Sequence, residues 1–258
     1  MKFELKELQP YSIGEMVRIG NKEDGGYVIP DYFRNSKSNL ISIGLGDNWT
    51  FESQGLKLFF RSFLIVDHTV SSLAILKRIL RRLLEKKLTI KNLVYLSKVL
   101  LNYTIYFKIF KKKHIRKKLV PTKKTSKEIT IKELIQRGKN RHNILKMDIE
   151  GDEYLMIDSI CDEANFIDLL IMEFHEIEQK RKNFELALKN LQNHYLIVHA
   201  HGNNYSFTSN DGIPNVLELT FVNKNLFNKN YPPIKHFPIK GLDFPCNPFK
   251  PEIILNFP

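Results

Sequence analysis

Short apolar runs alternating with stretches of helical periodicity constrain this chain more than any other feature. Leu40–Leu45, Phe63–Val66, Asn143–Met147 and Asp168–Phe174 are nearly unbroken apolar segments, each followed by polar or turn-forming residues. Runs of that length read as strands buried on both faces, as in a parallel sheet. Helical spacing fills the intervals over Thr130–Arg137, Glu153–Ile160 and Ile177–Asn193. That order predicts a mostly parallel sheet with helices on both faces. Two further strand candidates, Tyr195–Ala200 and Val216–Val222, are joined by a Gly/Asn/Ser-rich stretch, so a closing antiparallel hairpin is expected at one end. The expected organisation is a single α/β domain over 1–258. It carries a basic helical insertion at about 71–127 and, from about 231, an extended wrap holding seven of the eleven prolines.

Charge locates the insertion. The 258 residues carry 40 Lys+Arg against 28 Asp+Glu, a formal net charge of +12. Eighteen of the basic residues and a single acid, Glu85, fall between Lys77 and Lys127, so the rest of the chain is slightly acidic. Within that segment Leu73, Leu76, Ile79, Leu80, Leu83 and Leu84 repeat at helical spacing between Lys and Arg. They predict an amphipathic basic helix over 71–88, followed by a second apolar-basic stretch over 90–110. Such a face can be simply solvated, can meet an anionic membrane surface, or can receive an anionic substrate. No nucleic-acid module accompanies the charge, so a nucleic-acid partner is not expected. Two cysteines, Cys161 and Cys246, make neither a disulfide framework nor a Cys-type zinc site. No apolar run is long enough to span a bilayer, and the first residues lack the apolar core of a secretory leader. The expected location is cytoplasmic, with a membrane-peripheral one kept open by the basic helix.

The strand ends carry the chemistry. Ile41–Gly46 runs into a Gly-x-Gly turn, Gly44 and Gly46, where absent side chains let a ligand approach the backbone. A plain tight turn has the same sequence. Trp49 occupies the third glycine's place in the dinucleotide fingerprint, and no phosphate loop of ATPases is present. Asp67 ends the second strand about 20 residues after the turn, where a carboxylate suits the hydroxyls of an adenosine ribose or caps a helix. After the third strand come Asp148, Glu150, Asp152 and Glu153, the last two being also ordinary helix-start acids. Period-two alternation puts Glu173 and His175 on one face of the fourth strand, and His199 and His201 on one face of the next. Carboxylates and imidazoles at neighbouring strand ends can bind a hard or borderline metal, or supply a base for deprotonating a hydroxyl.

With these segments in view the chain resembles the FkbM-type S-adenosylmethionine-dependent methyltransferases. The resemblance rests on Asp24-Gly25-Gly26-Tyr27-Val28-Ile29-Pro30, Ser42-Ile43-Gly44-Leu45-Gly46, Leu145-Lys146-Met147-Asp148-Ile149-Glu150-Gly151-Asp152-Glu153 and His199-Ala200-His201-Gly202-Asn203-Asn204. The Lys-Met-Asp-Ile-Glu-Gly run is the most specific. The likeness covers roughly 15–70 and 130–225. It implies a Rossmann-like, class I methyltransferase sheet of seven strands, with S-adenosylmethionine at Gly44 and Gly46, Asp67 on its ribose, and a loop of Gly25, Gly26 and Tyr27 covering it. It also implies methyl transfer to a sugar hydroxyl, on a nucleotide-linked sugar or glycan of bacterial surface polysaccharide (capsule or lipopolysaccharide). Some sugar O-methyltransferases use a divalent or iron-type metal, and the acidic edge is similar to such a site. The expected catalytic residues are Asp148, His175 and His201, the metal ligands Asp148, Glu173 and His201. Asn203, Asn204 and Tyr205, with Trp49 as a stacking ring, are the expected sugar contacts. A metal-dependent hydrolase built on the same edge and a non-catalytic membrane-peripheral protein are the competing readings.

Overall fold

The computed structural model describes residues 4–46, 48–71, 106–138, 142–227 and 229–258, with five isolated positions between 77 and 101. The elements in chain order are β1 (Met16–Gly20), β2 (Gly26–Pro30), β3 (Asn39–Ile43), α1 (Thr50–Leu58), β4 (Ser62–Val66), β5 (His114–Ile115), β6 (Lys118–Leu119), β7 (Glu128–Ile129), α2 (Ile131–Gly138) and β8 (Asn143–Met147). They continue with α3 (Ile157–Asp162), β9 (Ile167–Phe174), α4 (Arg181–His194), β10 (Tyr195–Gly202), β11 (Leu217–Asn223), β12 (His236–Phe237) and β13 (Leu255–Asn256).

Seven strands form one sheet in the order β10-β11-β9-β8-β3-β4-β5. All pairings from β9 to β5 are parallel, and β11 runs antiparallel to both β9 and β10. Numbered by chain order among themselves, the seven strands read 3-2-1-4-5-7-6, the arrangement of the Rossmann-like methyltransferase fold. The expected α/β class and closing antiparallel pair are both present, with the last strand inserted beside β9 and β10 left at the edge.

Apolar alternation explains why the central strands are buried on both faces. Along β9, Leu170, Met172 and Phe174 point into a core that also takes Leu134 from α2, Ile160 from α3, and Phe184 and Leu188 from α4. Leu169 and Ile171 point the other way, against Ile19, Tyr27 and Ile29 of the β1–β2 hairpin and Phe51 of α1. Each buried aliphatic or aromatic side chain of this kind contributes roughly 1.5–3 kcal/mol relative to exposure. At the start of α2, Thr130 Oγ1 accepts the Glu133 N–H while Glu133 accepts the Thr130 N–H, a reciprocal cap.

Two expectations need adjustment. The β1–β2 hairpin, whose turn holds Asp24 and Gly25, takes the place of a bare covering loop and packs on the sheet, with Thr220 Oγ1 donating to the Val28 carbonyl at 2.7 Å. The basic segment ends by supplying β5, which pairs with β4 through two residues only, too short to show as an apolar run among lysines. The expected helix over 71–88, and most of the stretch over 90–110, lie outside the described residues. From 231 onward the named elements among the described residues are the two-residue strands β12 and β13.

The strand order reverses at β3, so a crevice opens between the carboxyl ends of β3 and β8. Gly44 closes it at the bottom: its φ is +81°, and a Cβ here would overlap the Asp148 carbonyl oxygen. Gly46, at φ +60°, has open space where its Cβ would lie. In urea unfolding Gly46→Ala should therefore cost only about 1–2 kcal/mol, the strain of a left-handed alanine. Gly44→Ala should cost more than that, because overlap with backbone adds to the strain. Equal losses would contradict this account of the turn.

Candidate active site

A cavity of about 560 Å³ occupies this crevice. Its walls come from the β1–β2 turn (Asp24, Gly25, Tyr27), the turn after β3 (Gly44, Leu45, Gly46), α1 (Phe51, Glu52), the end of β4 (Asp67, His68, Thr69), Lys117 and Lys118, and the segment Lys146–Asp152 after β8. Six carboxylates line it against three lysines, so the cavity favours a cationic guest.

Asp67 shapes the turn. Its Oδ2 accepts the N–H of Leu45 at 2.9 Å and of Gly46 at 3.1 Å. Oδ1 accepts the N–H and hydroxyl of Thr69, each at 2.7 Å, and the N–H of Val70 at 3.1 Å. Burial opposes the charge, but these hydrogen bonds win and hold the carboxyl below its ordinary value. Asp67 thus caps the segment that follows it and lines the cavity beside the glycine turn. Its own carbonyl is held by His114 Nε2 at 2.7 Å, and His114 Nδ1 lies 2.6 Å from the Tyr106 hydroxyl.

Lys146 is the buried cation at the cavity floor. Its Nζ donates to the Gly44 carbonyl at 3.0 Å and lies 3.8 Å from both Glu52 and Asp148, above the Tyr27 ring. Burial disfavours the ammonium, yet Glu52, Asp148, Glu173 and Asp24 together raise its pKa. Asp24 stands at the cavity mouth. Crowding by surrounding protein, then Glu218 and Asp148, push its carboxyl up to about 6, against the pull of Lys146.

Behind Asp148 lies His175. Its Nδ1–H donates to the fully buried Glu153 at 2.8 Å, and Glu153 also accepts the N–H groups of Ile149 and Gly151. Glu153 is therefore a positioning residue for the imidazole as well as a helix-start acid. His175 Nε2 faces Glu150 at 3.7 Å, Glu173 at 3.8 Å and Asp148 at 3.9 Å. Donor atoms of Asp148, Glu150 and His175 lie within 4.8 Å of one another, close enough to share a cation. Glu150 and Glu176 both adopt left-handed backbone, at φ 56° and 54°, so the two strand ends bearing this cluster are locally strained.

The expected site residues separate into two groups. Gly25, Tyr27, Gly44, Gly46, Asp67 and Asp148 line the cavity, and His175 and Glu173 sit behind Asp148. Gly26 does not line it; this residue begins β2, where a side chain would run into Asn21 and Arg18. His201 is also elsewhere: buried at 1% exposure, its Nδ1 is held by Glu218 at 3.0 Å and its Nε2 by Glu252 at 2.8 Å. With both nitrogens engaged by carboxylates it does not share the cluster of Asp148 and Glu173. Asn203 spends its amide on Glu173 and on the Tyr205 N–H, and Asn204 spends its own on Asn247, Lys250 and Pro251 of the wrap. Tyr205 is exposed but away from the cavity, and Trp49 is buried against Val70 and Tyr106 rather than offering a stacking face. Sequence reasoning placed Asp24 in the covering loop but missed Glu52 as a cavity residue and Glu218 as a strand acid. Period-two alternation in Leu217–Asn223 puts Glu218 and Thr220 opposite the apolar face, a signal available in the sequence.

No family model matches the sequence, and no curated protein does. Among solved structures the chain is similar to a dimethyladenosine transferase from Plasmodium falciparum, at 13% identity over 78% of this chain and 62% of that one, with a TM-score of 0.42. It is also similar to a chain of a fibrillarin/Nop5p complex, at 8% identity over 72% of this chain and 73% of that one, with a TM-score of 0.33. The chain thus spans under two thirds of the length of the dimethyladenosine transferase. Among the described residues no helix is long and apolar enough to cross a membrane.

His175 yields a pH prediction. Burial opposes its charge, but Glu153, Glu173 and Asp148 raise its pKa to about 9. A value raised above the unfolded one of about 6.5 gives stability that is complete below that pH and vanishes as pH climbs through 9. In chelator-containing buffer, the stability gap between the parent and His175→Gln should shrink steadily between about pH 6.5 and pH 9. A gap constant over that interval would show that the imidazolium contributes nothing.

Proposed function

We propose that the chain is an S-adenosylmethionine-dependent O-methyltransferase. The observation that carries this reading is the acid-lined cavity at the strand-order switch of a methyltransferase-type sheet, bounded by the Gly44–Gly46 turn and Asp67. About 560 Å³ is within the usual range for a cofactor-sized ligand. The open space at Gly46 leaves room for a guest against the turn, and the excess of carboxylates suits a ligand bearing a sulfonium and an ammonium. S-adenosylmethionine, when bound, supplies an already activated methyl group.

The chain's own residues then have two tasks. Acceptor alignment falls to the cavity walls, since in-line geometry is the main barrier that remains. Proton removal falls to Asp148, the cluster carboxylate that faces the cavity. His175, cationic at neutral pH in the metal-free protein, holds the carboxylates around it and stabilises the charge that Asp148 carries. The reading includes metal assistance: Asp148, Glu150 and His175 would hold a divalent cation that lowers the pKa of an acceptor hydroxyl. The acceptor is a sugar hydroxyl, on a nucleotide-linked sugar or a glycan of bacterial surface polysaccharide. Lys117 and Lys118, at the end of the basic segment, reach the cavity wall and suit a phosphate on that acceptor.

Calorimetry with S-adenosylmethionine tests the donor site. Binding should tighten as pH rises through about 6, where Asp24 ionises, by up to about tenfold, and Asp24→Asn should flatten that profile. No binding at any pH sinks the reading. Transfer of labelled methyl to sugar nucleotides tests the chemistry. Asp148→Ala should lose at least 100-fold in turnover while donor affinity changes by less than about threefold. Phosphate-ester hydrolysis with metal and without donor would instead favour a hydrolase.

A further inference from the structure

Next to the cavity but not lining it, on the β10–β11 edge, lies a second set of metal-ligating side chains. His201 on β10 and Glu218 on β11 are paired in register, and Cys246 of the C-terminal wrap folds back onto them. All three are buried, and their donor atoms lie within 4.8 Å of one another. The two oxygens of Glu218 divide between the other donors: Oε2 is 3.0 Å from His201 Nδ1, and Oε1 accepts from Cys246 Sγ at 3.6 Å. Tetrahedral zinc, with bonds of about 2.0–2.3 Å, sets its donors roughly 3.3–3.8 Å apart. The set is within small side-chain movements of that spacing. The outer nitrogen, His201 Nε2, is meanwhile fixed on Glu252 at 2.8 Å, the carboxylate–histidine arrangement that orients a metal-bound imidazole.

Charge favours the same conclusion. Without a metal, the imidazole must be cationic to donate from both nitrogens to Glu218 and Glu252, and the thiol stays protonated. Entry of a divalent ion displaces two protons, one from His201 Nδ1 and one from Cys246 Sγ. The ion thus replaces two protons with no change in the net charge of the buried cluster. Metal entry therefore adds no further buried charge, the usual obstacle to a buried site.

We propose that His201 Nδ1, Glu218 and Cys246 Sγ form a zinc-type structural site, with Glu252 orienting the imidazole, that fastens the C-terminal wrap to the sheet edge. Cys246 and Glu252 come from the wrap, His201 and Glu218 from the sheet, so the ion would tie two parts of the chain together. A second oxygen of Glu218 or a water completes four-fold coordination. This site shares no ligand with the neighbouring Asp148 cluster, and of the two it holds the sulfur donor.

The sulfur makes the test specific. The full chain, stripped by chelator and titrated with Co²⁺, should bind with a thiolate-to-cobalt charge-transfer band that Cys246→Ser abolishes and Cys161→Ser retains. Glu252→Gln should weaken Zn²⁺ binding by about 10–100-fold. In the unsubstituted protein, Zn²⁺ should slow alkylation of Cys246 at least tenfold and leave Cys161 unchanged, a readout that needs no variant to fold. The proposal is overturned by a chain that takes up no Co²⁺ with a thiolate band, by a band that survives Cys246→Ser, or by Cys246 alkylation indifferent to Zn²⁺.

Discussion

Five hydrogen bonds converge on the carboxylate of Asp67, and the shape of the candidate site depends on them. Two come from the turn after β3 and three from the segment that follows β4, so one side chain holds together two loops that share no backbone pairing. An ionised carboxylate is the only side chain that accepts from so many donors without offering one of its own. The turn it holds brings Gly44 against the end of β8 and leaves Gly46 facing open space. The cavity is thus the space left between two backbone segments fixed by a third.

The second constraint is electrostatic. Acids gather at the carboxyl edge because several strands end there together, and three cations are buried among them: Lys146, His175 and His201. Each is held by carboxylates from more than one element, and each pKa is raised although burial alone would lower it. Removing one of them leaves carboxylates buried without a counter-charge, which is more costly than losing a surface pair. The edge is therefore a network in which each buried cation is stabilised by carboxylates from several elements.

Much of the fold was legible in the residues. Unbroken apolar runs such as Leu169–Met172 marked the central strands because both faces of them are covered. The Gly turn, Asp67 and Asp148 were legible because each follows a strand that could be read. What stayed hidden came from long-range packing. His201 looked like a partner for Asp148, but Glu252, 51 residues later, claims its second nitrogen. Asn204 looked like a sugar contact, yet its amide is taken by carbonyls of Asn247, Lys250 and Pro251. The wrap has little periodicity, so nothing in it announced which side chains it would cover. Strand β5 was missed for the opposite reason: its two paired residues are set among lysines and arginines.

The wrap also determines the order in which the molecule can be assembled. Pro10 accepts the Ile234 N–H, Tyr11 donates to Ile197, and Ser12 donates to Pro232. Arg18 of the first hairpin donates to the Leu242 carbonyl. Arg18 lies on the earliest strand, so that strand has a partner that leaves the ribosome more than two hundred residues later. Contacts of that separation are slow to form, because a long loop must close before they return anything. During synthesis the bond from Arg18 of the first hairpin to Leu242 can therefore close only after the wrap has been made.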